Sequence, residues 1–276
     1  MNLLFAIVMA AAPADFDLFL SSELVQPALQ RDDVFTAHVE PRLGVPTVLW
    51  ALQVGPEAPA WTRADLSPAE AARRHLLPVA NSFRLSGETV ARLDHRHTLD
   101  LGHGAIVVTF GRSFDGVALF RDELHVVMTQ ARELIAITGN VNPATPKERG
   151  FRLTGTTAVA TAARELGFTV GALSLDKERD GWQRVFDSNG LVNTRARRVW
   201  YGLPDALEPA WHVELDSGDS AFFEVVSAWD GRLLSRKNLT VDATWRVYAE
   251  TAAPFAPADS PYGTGYTPHP TGVRLP

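Results

Sequence analysis

The chain of 276 residues contains no cysteine. Disulfide frameworks, thiol nucleophiles and cysteine-based zinc sites are therefore excluded, although this absence does not place the protein in a compartment. The motif H-E-x-x-H is missing as well. A zinc peptidase of that kind needs two histidines one helical turn apart as ligands and the adjacent glutamate as general base, so no other residue set here can be promoted to such a site. Positive charge is also short: 26 Lys and Arg stand against 32 Asp and Glu, a formal charge of −6. That balance argues against nucleic acid and against an anionic membrane surface as default partners. The apolar stretch at residues 3–12 is too short to span a bilayer.

What is present is a globular composition, 46% hydrophobic and 21% charged, in a chain long enough for two ordinary domains. The apolar stretch at 3–12 runs into Ala12, Pro13 and Ala14, an A-x-A site. Together they predict a signal peptide over 1–14, cleaved before Asp15, and a secreted or periplasmic protein with no membrane contact after cleavage. No Lys or Arg precedes the apolar run, so a hydrophobic N-terminal strand or a misassigned start codon is the competing reading. From Ala252 onward Pro, Gly, Thr and Ser dominate. Such a composition buries too little apolar surface to order itself, which predicts a linker or tail over 251–276.

The best-specified structure lies at 105–139. Four short apolar runs, at 105–110, 117–120, 124–129 and 134–138, are rich in β-branched and aromatic residues. They read as strands. The connectors at 111–116, 121–123 and 130–133 are too short for crossover helices, so neighbouring strands should run antiparallel as a meander. Asp115 and Gly116 supply the left-handed backbone of a tight hairpin. Before this stretch, Ser67, Pro68 and Glu70 mark a helix start with a capping box worth about 1 kcal/mol. Ala69, Ala72 and Leu76 recur on its buried stripe, Leu77 lies beside it, and Pro78 should limit it. A second helix is predicted within 151–167, with Ala158, Ala162 and Leu166 at helical spacing and Gly167 as C-cap. Strands follow at 181–186, 194–201, 210–215, 221–227 and 232–236, with Asp230 and Gly231 as a turn. Both helices carry an Ala-Ala-Arg triplet and precede strands, a weak internal echo dividing near 142–146. The expected fold class is α+β: two modules, each an antiparallel β-meander packed on a helix.

Candidate chemistry is sparse. Asp94, His95, Arg96 and His97 form the densest titratable cluster, with Asp100 and His103 behind. On a regular strand His95 and His97 would share a face and could chelate a metal. The competing reading is a solvated polar segment, with Arg96 repelling any cation. Ser113 sits between strands, not between strand and helix, and although Gly111 precedes it, it lacks the second glycine of a nucleophile elbow. Arg195, Arg197 and Arg198 make a basic patch in which Arg195 and Arg197 share a face, read as solvated. Asn238 to Thr240 is a glycosylation sequon, meaningful only in a eukaryotic secretory pathway. Trp182, Trp200, Trp211, Trp229 and Trp245 could form an aromatic ligand platform, but a core role with satisfied N–H groups is commoner. No catalytic residue, metal ligand or cofactor site is assigned.

The order of these segments resembles the prosegment of fungalysin- and thermolysin-type zinc metallopeptidases. Val107, Val108, Thr109 and Phe110, then 115–120, then 124–127 resemble the strand and hairpin of the FTP module, with Gly111 and Arg112 where that family is usually Gln-rich. Upstream, Arg42, Gly44, Pro46, Leu49 and Trp50 resemble the segment that precedes FTP in secreted precursors. Downstream, Ala210, Trp211, His212 and Val213, then 228–236 with a shortened Asp-to-Gly spacing, then Asn238 and Leu239, resemble the PepSY module. The resemblance implies a cystatin-like FTP domain over 57–145, a PepSY-like domain over 146–250 and an N-terminal extended segment over 15–56. It implies a non-catalytic prosegment that assists folding of a fungalysin-type metallopeptidase catalytic domain and inhibits it, here without that domain. Candidate inhibitory residues lie within 242–255. The alternative reading is a stand-alone extracellular or periplasmic binding module, or a truncated precursor fragment.

Overall fold

A computed structural model describes residues 13–25, 34–51, 66–179, 181–188, 191, 193–218 and 220–240. The apolar leader at 3–12, Trp245, the segment 242–255 and the tail at 251–276 lie outside them.

The hairpin whose turn is written in the sequence lies near the middle of the chain. Strand β5 (Ile106–Phe114) returns as β6 (Val117–Met128) through Asp115 and Gly116, both at positive φ, 52° and 75°. Strand β7 (Leu134–Asn140) follows β6 antiparallel, and β3 (Val45–Ala51) and β2 (Val34–Glu40) extend the same side. On the other side β4 (Asp94–Leu99) pairs with β5. One face of these strands is covered by α1 (Pro68–Val79), a 3-10 turn over Ala80–Phe83 and the short α2 (Gly87–Ala91). Ala72, Leu76, Phe83 and Val90 meet Ile106, Phe110, Leu124 and Ile137 in a shared core. At the start of α1 the Ser67 hydroxyl accepts the Glu70 N–H at 3.3 Å, and the Ser67 N–H donates to the Glu70 carboxylate at 3.1 Å. The helix does not stop before Pro78. Proline sits in the last turn, where losing one N–H is tolerable, and the chain tightens directly into the 3-10 turn.

The second half begins with α3 (Gly155–Glu165), capped by the Thr154 hydroxyl and closed by Gly167 at φ 75°. It packs through Ala158, Val159, Ala162 and Ala163 on one face of β10 (Arg195–Gly202), β11 (Leu207–Asp216) and β12 (Ala221–Ser227). Strands β8 (Leu173–Arg179) and β9 (Trp182–Asp187) lie outside β10. Strand β13 (Leu233–Asn238) and the two-residue β1 (Phe16–Asp17) close the far edge. Just before β1, Asp15 accepts the Asn238 N–H at 2.8 Å and pairs with Lys237 at 3.1 Å.

The expected class, two separate α+β meanders each packed on a helix, is overturned. The thirteen strands form one large mixed sheet, and among the described residues 46% are strand against 16% helix. The reason is local. The charged triplet Arg121, Asp122 and Glu123, read as a connector, does not end a strand. In β6 the register jumps from Glu123 opposite Gly111 to Ala118 opposite Ser113, so residues 119–122 bulge out with Arg121 at φ 56°. The bulge carries Leu119 alongside Trp200 in a parallel bridge, and that bridge joins the two halves. Strands β1, β2, β4 and β8 then add to the sheet beyond either meander.

Candidate functional site

Three surfaces follow from this topology. The first is the face of β4, β5, β6, β7 and β3 opposite α1. Register places Leu99, Val107, Val127, Ala136 and Trp50 in one cross-strand row. Its ends are open, with Leu99 50% and Trp50 45% exposed. A parallel row holds His97, Thr109, His125 and Thr138. The buried Thr109 hydroxyl lies 3.2 Å from His97 Nε2 and 3.0 Å from His125 Nδ1.

The second is a cavity of about 220 Å³ where the β6 bulge meets the N-terminal segment, the β2–β3 hairpin and the end of β10. Its walls are held by polar anchors. The Tyr201 hydroxyl donates to Asp17 at 2.6 Å, and Asp17 also accepts from the Ser235 hydroxyl. Burial and the neighbouring Asp17 carboxylate push the Tyr201 phenol far above its ordinary range. Arg42 donates twice to the Leu20 carbonyl, at 3.0 and 2.8 Å, and fixes that segment over the cavity. Beneath lies a buried ion pair. Arg112 reaches Asp122 at 2.9 Å and the Asn142 carbonyl, while the Asn142 N–H donates to Asp122 at 2.9 Å. Burial pushes the Asp122 carboxyl up, against the pull of Arg112 and the Asn142 N–H.

The third is the face of β9–β12 opposite α3. Trp182, Arg197 and His212 stand in one register row. The guanidinium groups of Arg195 and Arg197 lie 4.3 and 4.5 Å from the Trp182 ring, within cation–π range. His212 is ringed by Trp182, Phe120 and Phe223 at 5.0, 5.0 and 5.5 Å. Burial lowers its pKa to about 3, helped by Arg197, Arg121 and Arg195. The ring should therefore stay neutral at pH 5 in an NMR titration. The folded imidazole takes its proton only near pH 3, the unfolded one near 6.5. Stability should thus fall as pH drops below 6.5, by up to about 1.4 kcal/mol per pH unit. His212→Phe, which suits the aromatic ring around it, should remove that part of the acid loss.

No family model matches this chain, and no curated protein matches it. Among solved structures it is similar to the Bacillus megaterium YpeB C-terminal domain, at 10% identity and a TM-score of 0.29, over 71% of this chain and 73% of that one. No family follows from so distant a likeness.

The residues singled out in the sequence are dispersed. A bulge between His95 and His97 sets His95 opposite Phe110 and His97 opposite Thr109, consecutive positions that face opposite sides of the sheet. The regular alternation that would have paired them is broken. His97 meets His125 instead, through Thr109. Among the described residues no group of three or more His, Asp or Glu is placed to hold a metal. Nor is any helix there long and apolar enough to cross a membrane. Ser113 lies within β5, away from any helix start. Arg195 and Arg197 share a face as expected, but stacked on Trp182. Trp200 and Trp211 are buried, donating to the Phe114 and Leu153 carbonyls at 3.2 and 2.8 Å. Trp229 lies near Arg149 and Arg152. Sequence reasoning passed over Arg112, Asp122, Tyr201 and His212 as site residues. An Arg and an Asp ten residues apart across a hairpin were the one available signal.

Proposed function

We propose that this protein is a non-catalytic binding module that docks on a secreted fungalysin-type zinc metallopeptidase, restraining it and assisting its folding. The observation that supports this is the apolar row from Leu99 to Trp50 on a sheet face that the helices leave open. A row five strands wide on a rigid sheet gives a preformed, desolvatable patch, the property a protein-binding surface needs. The FTP-like and PepSY-like residue order names the partner class. Covalent linkage only raises effective concentration, so a preformed interface would still act between separate chains.

The test is to titrate a fungalysin-type peptidase from the same source with this chain and follow peptidase activity. Inhibition at micromolar concentration is expected, weakened by Trp50→Glu and Leu99→Glu, whose side chains are exposed and should leave the fold intact. Zinc-dependent proteolysis by the chain alone, or no binding at micromolar concentration, would overturn the reading.

A further inference from the structure

From the third surface we infer a second, separate binding site: Arg197 and His212, on the Trp182 platform, take the carboxylate of a peptide segment with apolar residues around it. Arg197 and His212 are direct cross-strand partners on the face opposite α3, so their side chains stand side by side. The Arg197 Nε and the His212 Nδ1 are buried, and neither has a hydrogen-bond partner among the described residues. His212 is only 7% exposed, and a buried polar atom left unsatisfied in such surroundings is destabilising unless a ligand completes it. Arg195 is already engaged, bound to Glu214 at 2.6 Å. Arg197 makes no salt bridge within 4 Å among the described residues; Glu214, 3.9 Å from His212 Nε2 and held by Arg195, acts on the Arg197 charge only from a distance and leaves the Nε donor free.

The two unpartnered nitrogens select the anion. A guanidinium N–H and a ring nitrogen side by side suit the two oxygens of a planar carboxylate. With Glu214 already offsetting part of the local positive charge, a monoanion is accommodated beside Arg197, whereas a phosphate dianion would leave uncompensated negative charge in the same place. Trp182, Phe120 and Phe223 form an aromatic wall, and Arg121 reaches from the β6 bulge to within 4.8 Å of the Phe223 ring. Such walls favour a carboxylate on an apolar segment over a free small acid. In a chain of net charge −6, this face is a local basic exception, so an acidic segment is steered toward it.

The experiment uses the full chain and two short capped peptides, one with a single Glu between apolar residues and one with Gln in its place. Binding is read by calorimetry and by the His212 ring signals in NMR. The Glu peptide should bind about tenfold more tightly or better, the size of one charge-assisted hydrogen bond. It should also move the His212 signals. Arg197→Gln should erase the preference. Arg197→Lys, which keeps charge but loses the Nε donor, should reduce it. Arg184→Gln, on the exposed neighbouring strand, should leave it unchanged. The thermal midpoint of each variant reports whether the fold survives, and the wild-type comparison of the two peptides stands whatever the variants do. Equal binding of the two peptides, no binding of either, a preference that survives in folded Arg197→Gln, or displacement by sulfate or inorganic phosphate at similar concentration would each overturn the proposal. No peptidase takes part, so the outcome is independent of the docking function proposed above.

Discussion

Replacing Arg112 by Met should destabilise the fold by about 3–5 kcal/mol at neutral pH, because one member of a buried ion pair is left behind without the other. Arg112 and Asp122 are each only 5% exposed, and the guanidinium also holds the Asn142 carbonyl. Without Arg112 the Asp122 carboxylate retains a single backbone N–H donor, from Asn142. Burial already pushes that carboxyl up, and loss of the neighbouring cation pushes it further. The sign of the pH dependence follows. A carboxyl that folds with a raised pKa contributes most when protonated, and that contribution is lost as pH rises above the unfolded value of 3.8. The deficit of the variant should therefore be smaller at pH 5 than at pH 8 in denaturant titrations. Arg112→Met combined with Asp122→Leu should recover most of the loss, since no charge is then stranded. A deficit that does not change with pH would show that packing, not the stranded carboxylate, sets the cost.

Gly139→Ala should cost about 3 kcal/mol or more. Gly139 lies in β7 opposite Leu124 at φ 131°, a conformation that only glycine adopts readily. A methyl group there would sit 2.1 Å from the Glu123 carbonyl oxygen and 3.1 Å from the Leu124 Cα. Both contacts are backbone atoms of the paired strand, so neither can swing away. The β6–β7 ladder would have to open beside the bulge that joins the two halves. Hydrogen exchange should then show lost protection along 134–140 and 123–128, together with a lower thermal midpoint. An alanine variant with wild-type protection on these strands would contradict the pairing of Gly139 with Leu124.

The candidate sites were less legible than the elements that carry them. His95 and His97 suggested a shared strand face because alternation is the default, and one extra residue in the ladder cancelled it. Arg121, Asp122 and Glu123 looked like a turn because three charged residues in succession rarely sit inside a sheet. Asp122 is tolerated there because Arg112 and the Asn142 N–H meet it, partners ten and twenty residues away. His212 stood inside a recognisable strand, but its isolation among Phe120, Trp182 and Phe223 depends on three other elements.

Local chemistry alone determined the capping box at Ser67, the Asp115–Gly116 hairpin, the Ala-rich buried stripe of α3 and the Gly167 cap, because each rests on contacts within a few residues. The same range limit explains what it could not determine. Whether two groups of strands remain apart or merge depends on one parallel bridge, Leu119 to Trp200, between residues 81 positions apart. That bridge exists because the bulge in β6 turns Leu119 toward β10 while burying Asp122 against Arg112. Bulges and buried pairs form where distant chain segments meet, so only the tertiary structure decided that the chain makes one continuous sheet and which faces of it remain open.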